Sequence, residues 1–216
     1  MNNNLEIVNV SRETFQEIEW YNMKYLPFYK EYVRQILWWN AKINLVSRNQ
    51  SEQSIQEHIR HSLVPCITET FWKARTIVDA GTGSGLPGIP LSYLHDDAVF
   101  HLVDINMKKV TAVKQMLYNL KPPATDVHCA DVATFVPPLK EKLVMVSKHA
   151  FKLDELLIKE FPVKYDGFLF LKGNDYQSEL NDEIFDKFTV RAYNLQSGTD
   201  IPFYKQKYLL EILPKE

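Results

Sequence analysis

The run Ile77-Val78-Asp79-Ala80, followed by Gly81-Thr82-Gly83-Ser84-Gly85 and then Leu86-Pro87-Gly88, leaves this chain few options. An apolar run that ends in closely spaced glycines reads as a buried strand turning tightly into a helix. Glycine suits such a turn because the backbone takes positive φ there and lets a ligand approach where a Cβ would clash. A turn this rich in glycine destabilises a domain unless something occupies it, so a turn without a ligand is the weaker reading.

Downstream of Lys73, short β-rich runs alternate with amphipathic stretches. RTIVDA, AVFHLVD, ATDVHCA, EKLVMVSK and YDGFLFLKG read as strands. LPGIPLSYL, MKKVTAVKQMLYNL, DELLIKEF and SELNDEIFDKF read as helices. Such alternation predicts a parallel sheet with helices on both faces. KFTVRAYNL and FYKQKYLLEIL are expected to pair antiparallel at one edge. Residues 1–72 read as an all-helical cap and residues 73–216 as the α/β domain. In the cap, Ser11 is a candidate helix cap before Phe15, Ile18 and Trp20, and Pro27 opens a helix carrying Phe28, Tyr32, Ile36 and Trp39. Ser51 or Ser54 starts a third helix that Pro65 ends or kinks.

Two features decide which ligand the turn serves. Gly83-Ser84-Gly85-Leu86-Pro87-Gly88 fits the dinucleotide pattern, but that pattern alone is a weak signal. Pro87 removes an amide that a pyrophosphate would use, and the Asp79 carboxylate would repel a phosphate. An oxidoreductase using NAD is disfavoured on both counts. S-adenosylmethionine has no phosphate and carries an ammonium that a carboxylate suits. Asp104, closing the next strand, stands where an acidic residue accepts hydrogen bonds from ribose hydroxyls. Asp131-Val132-Ala133 follows the third strand. Either its backbone reads an adenine edge with Val132 on the ring, or Asp131 caps a helix.

Composition narrows the setting. A net charge of −2 gives no global field toward nucleic acid or membrane, so RNA binding would need local basic patches. The 2 cysteines, Cys66 and Cys129, lie far apart, which fits a reducing cytoplasm without a disulfide partner or zinc site. No signal peptide or membrane span is visible. No metal is expected: His58 and His61 have helical spacing, but no third ligand is in view. Adjacent Trp38 and Trp39 point to different helix faces, so one belongs to the core and the other is a candidate for stacking on RNA. Lys108, Lys109, Lys114 and Lys121 form a basic bias on one helix, either solvated or touching phosphate. Lys172-Gly173 closes a strand at the ligand-binding edge of the sheet. Glu179, Asp182, Glu183 and Asp186 read as a solvated helix face.

From about Tyr32 to Lys172 the chain resembles the RsmG (GidB) family of bacterial small-subunit rRNA methyltransferases. The resemblance rests on Trp39-Asn40, Asn44-Leu45, His58-Ile59 with Ser62, and above all DAGTGSGLPGIPLS from Asp79 to Ser92. Asp104 with Lys108-Lys109, Ser147-Lys148 and Leu171-Lys172-Gly173 continue it in register. It implies a class I S-adenosylmethionine-dependent methyltransferase, a Rossmann-like α/β fold with a mostly parallel seven-stranded sheet and an N-terminal helical cap. It implies transfer of a methyl group to N7 of a guanine in 16S rRNA, with the rRNA or small ribosomal subunit as partner. Asp79, Gly81, Gly83, Gly85, Leu86, Asp104, Val132, Ala133 and Lys148 are the expected cofactor-binding residues, and Lys148 is also the candidate catalytic residue.

The chain departs from the family at four places. Lys148, followed by His149, stands where an arginine and a small residue are usual, and lysine lacks the planar fork. His61 stands for an aspartate, Asp131 for a basic residue, and Ile105-Asn106 for a serine-containing pair. N7 of guanine has a lone pair and no proton to lose, so the reaction needs no general base, and the sequence offers no paired carboxylates or Ser-His-Asp set near the turn. Two alternatives share the fold: a methyltransferase of another substrate, and an RNA- or ribosome-binding module without turnover.

Overall fold

The structure is a computed structural model that describes residues 5–47, 50–138 and 141–215; the Asn2–Asn4 run at the start lies outside them. Its centre is an eight-stranded sheet in the order β1-β7-β8-β6-β5-β2-β3-β4. The strands are β1 (Leu5–Asn9), β2 (Thr76–Ala80), β3 (Val99–Asp104), β4 (Thr125–Cys129), β5 (Leu143–Lys148), β6 (Gly167–Lys172), β7 (Phe188–Asn194) and β8 (Tyr208–Pro214). All neighbours are parallel except β8, which runs antiparallel to both β6 and β7.

Strands β2, β5 and β6 are buried along nearly their whole length because helices cover both faces. Successive residues divide between the layers: Ile77 joins the core under the N-terminal helices, and Val78 joins the core on the other face. Helices α1 (Arg12–Lys24), α2 (Leu26–Asn40), α3 (Glu52–Ser62), α4 (Glu69–Lys73), α5 (Gly88–Ser92) and α6 (Met107–Leu120) contribute to the first layer. Short helices α7 (Leu153–Leu156) and α8 (Asp182–Lys187) sit on the second. Local chemistry starts these helices: Ser11 caps Thr14 N at 3.1 Å, Ser51 caps Ser54 N at 3.1 Å, and Asn106 accepts from Lys108 N at 3.0 Å. Tyr29, Tyr32, Val33 and Ile36 recur at helical spacing on α2 and are all buried.

Five expectations need correction. The sheet has eight strands, not seven, and residues 1–72 are not all helical, because Leu5–Asn9 pairs parallel with β7 as the outer strand. The β7–β8 pair therefore lies one strand inside that edge. The helix expected over SELNDEIFDKF breaks into a 3-10 turn (Asn174–Glu179) and α8, with Asn181 capping Ile184 N. Glu179 is not on a solvated face: its side chain is 11% exposed and meets Lys172 Nζ at 2.6 Å. Trp38 is 56% exposed while Trp39 packs on the core, as their adjacency on a helix requires.

Candidate functional site

The carboxyl ends of β2, β3 and β5 open into a cavity of about 740 Å³, where open parallel sheets bind ligands. One wall is the turn after β2, contributing Gly81, Thr82, Gly83, Ser84 and Leu86. Thr82 N donates to Val103 O at 3.0 Å, which anchors the turn on β3. A Cβ on Gly83 would meet nothing closer than Gly81 O at 3.9 Å, so this position faces open space at φ +59. A Cβ on Gly88 would fall 2.1 Å from Leu102 Cδ2 and 2.7 Å from Asp79 Oδ2, so Gly88 is required by packing beneath the turn. From the cap, Tyr32 donates its hydroxyl to Ser84 O at 2.7 Å and clamps the turn from behind.

Asp104 lines the cavity at the end of β3. Its Oδ2 accepts from Gly83 N at 3.0 Å and its Oδ1 from Asn106 N at 2.8 Å. A carboxylate offers about four acceptor sites, so both oxygens keep capacity for hydroxyl groups in the cavity. Val132 is buried and lines the cavity with Ala130 and Asp131. Ala133 is not on the lining, and its N–H donates to Asp131 Oδ1 at 2.9 Å. Its amide is therefore engaged within the turn, so Asp131 caps this turn and still borders the cavity.

Asp79 corrects a further expectation. Its carboxyl is fully buried and lies beneath the turn, where Oδ2 accepts from Thr82 Oγ1 at 2.6 Å and Gly88 N at 2.9 Å. It organises the turn and offers no direct contact to an ammonium in the cavity. Burial pushes its pKa up to about 7, against the pull of those two donors. Gly85 is also off the lining, because its Cβ position points at Ile89 and the Tyr32 hydroxyl.

The opposite wall is the loop after β5, with Lys148, His149, Ala150 and Phe151, and cap residues including Leu45, Gln50, Ile55 and His58. Lys148 is half-buried and lines the cavity, but its ammonium turns onto α3, donating to His58 O at 2.7 Å and Ser62 Oγ at 3.4 Å. Burial, with Lys207 adding repulsion, lowers its pKa to about 7. His61 is fully buried, with neither ring nitrogen hydrogen-bonded, among the rings of Phe203, Tyr204 and His149. Burial and Lys148 hold it well below the usual histidine range. Among the described residues no group of three His, Cys, Asp or Glu is placed to hold a metal.

The structure thus brings Gly81, Gly83, Leu86, Asp104, Val132 and Lys148 to one cavity, and leaves Asp79, Gly85 and Ala133 behind it. Lys109 also lines it, while the other lysines of α6 do not. Tyr32 carried no signal in the sequence beyond its place in an apolar stripe. The cap wall could not be found from local pattern, because only tertiary packing lays it across the turn.

Fold and turn together define a class I S-adenosylmethionine-dependent methyltransferase. The magnesium protoporphyrin IX methyltransferase of Synechocystis PCC 6803, solved with bound cofactor, is similar in fold, with a TM-score of 0.53, 16% identity and coverage of 79% of this chain and 88% of that one. A profile of the GidB family, described as rRNA small subunit methyltransferase G, matches residues 26–201, and the chain belongs to that family. Proteins named ribosomal RNA small subunit methyltransferase G are similar to this chain, several of them over most of their length. That of Chlorobaculum tepidum is 31% identical over 83% of this chain and 85% of its own. That of Flavobacterium psychrophilum is 29% identical over 81% and 84%.

Proposed function

We propose that this chain transfers a methyl group from S-adenosylmethionine to N7 of a guanine in 16S rRNA, in the cytoplasm. The observation that carries the reading is a single cavity with the glycine turn and Asp104 on one side and the cap on the other. The residues fit the cofactor. Gly83 leaves the space a ligand needs, Asp104 keeps acceptor sites for ribose hydroxyls, and Leu86 and Val132 supply apolar contact. When bound, the cofactor supplies a methyl group already activated by its sulfonium.

The remaining work belongs to the protein. N7 needs no base, so walls that hold the base in line and exclude water can supply most of the acceleration, about 7–11 kcal/mol in favourable cases. Asp79 supports the turn from below, and Ala133 closes the turn beside Val132. Lys148 positions α3 against the cavity through the His58 carbonyl. That docking, with a pKa lowered to about 7, keeps positive charge away from a base that becomes cationic. The unpaired Cys66 and Cys129 support the cytoplasmic assignment.

The test is methyl transfer from labelled cofactor to small-subunit rRNA from cells lacking the endogenous enzyme, mapped by cleavage at N7-methylguanine. One labelled guanosine is the expected result. Absence of label, with S-adenosylhomocysteine still bound, overturns the rRNA reading.

A further inference from the structure

His149 lines the cavity beside Lys148, is exposed, and is not used by the reaction as described. Its backbone lies in the left-handed region at φ 53, where a non-glycine residue is uncommon and strain collects at functional sites. Its N–H donates to Leu171 O at 3.2 Å, so the end of β6 holds this conformation. The ring lies tilted beside His61, with centroids 6.1 Å apart, and no described residue hydrogen-bonds to its nitrogens.

Charge fixes the form of that ring. Lys148, Lys207 and Lys172 face it with one carboxylate, Asp175, and histidines His58 and His61 stand nearby. Desolvation of the ring against the cavity wall first, then these cations, lower its pKa to about 4, so it is neutral at physiological pH with one N–H donor and one bare nitrogen. His149 lines the cavity, so the N–H of its neutral ring is available to an acceptor there. A neutral donor also avoids repelling a base that gains positive charge.

Guanine presents N7 and O6 as adjacent acceptors on one edge, whereas adenine presents N7 beside an amino donor. We infer that His149 selects guanine by donating its ring N–H to O6 of the base whose N7 receives the methyl group. This rests on the guanine-N7 reading above. Lys148, turned onto α3, leaves that role to its neighbour.

The experiment uses the full chain with small-subunit rRNA carrying either guanine or 2-aminopurine, which lacks O6, at the mapped position. His149→Ala is expected to lower kcat/KM on guanine about tenfold, the loss of one hydrogen bond, while S-adenosylhomocysteine affinity is unchanged. On 2-aminopurine the wild type and His149→Ala are expected to have equal rates, and His149→Gln, which keeps an N–H donor, should recover guanine activity. Equal loss on both bases, or no loss on either, overturns the inference while leaving the reaction intact. A wild-type enzyme that methylates no guanine overturns both.

Discussion

The glycine-turn wall and the histidine wall enclose the same cavity, yet they differ in how far their polar groups are paired. On the first, Asp104 places both oxygens on backbone amides, Asp79 takes two donors on Oδ2 and leaves its buried Oδ1 without a partner, and Tyr32 takes the Ser84 carbonyl. On the second, His149 sits at positive φ and Lys148 is lowered in pKa, while His61 lies fully buried behind the lining with both nitrogens unpaired. The first wall is tied mostly by bonds within its own chain, which fix its shape. The second leaves polar groups unpaired in and behind the wall, at a cost in stability.

The largest expected effect breaks the first wall. Gly88→Ala forces a Cβ onto Leu102 and Asp79, both buried, and should destabilise by about 3 kcal/mol in urea denaturation. A midpoint equal to that of the wild type would show that the turn is looser than its contacts imply.

The two walls should also titrate in opposite directions. Asp79 has a folded pKa of about 7 against 3.8 unfolded, so the folded state binds more protons between these values. Its contribution is present below about pH 4 and is lost as pH rises toward 7. Asp79→Asn should therefore gain relative to wild type across that window and level off above it. Denaturant midpoints from pH 4 to 8 check this, and a pH-independent difference would contradict the buried charge. His61, lowered below its ordinary 6.5, acts the other way, since the unfolded chain binds the extra proton as pH falls below 6.5.

Gly83→Ala sharpens the contrast by separating folding from binding. Its Cβ meets no crowded neighbour, so folding should lose only about 1 kcal/mol from the positive φ. S-adenosylhomocysteine affinity should fall at least about tenfold, read by calorimetry, because the cavity is filled from the turn side. The smallest effect belongs to the second wall. His61→Leu removes two unpaired buried nitrogens and should raise stability by about 1 kcal/mol at neutral pH, and by more in acid. A loss of similar size would mean that His61 makes contacts the ring geometry does not show.

The sequence by itself determined whatever is set within a few residues. Gly81 to Gly88 announced the turn, Asp104 announced the end of β3, and Ser11 and the Ser51 or Ser54 pair marked helix starts, because φ preference, apolar alternation and capping are local. The family likeness in DAGTGSGLPGIPLS identified the chemistry for the same reason: one contiguous segment carries it. Tertiary structure decided the rest. β1 joins the sheet through a partner, β7, more than 180 residues away, and nothing in LEIVN names that partner. Whether Asp79 faces a ligand or lies beneath the turn depended on where Gly88 N and Thr82 Oγ1 arrived. Whether Glu179 is solvated depended on Lys172 from β6, and the direction of the Lys148 ammonium depended on where α3 brought the His58 carbonyl. A buried charge must find a partner or shift its pKa, and that partner comes from whichever segment the fold brings alongside.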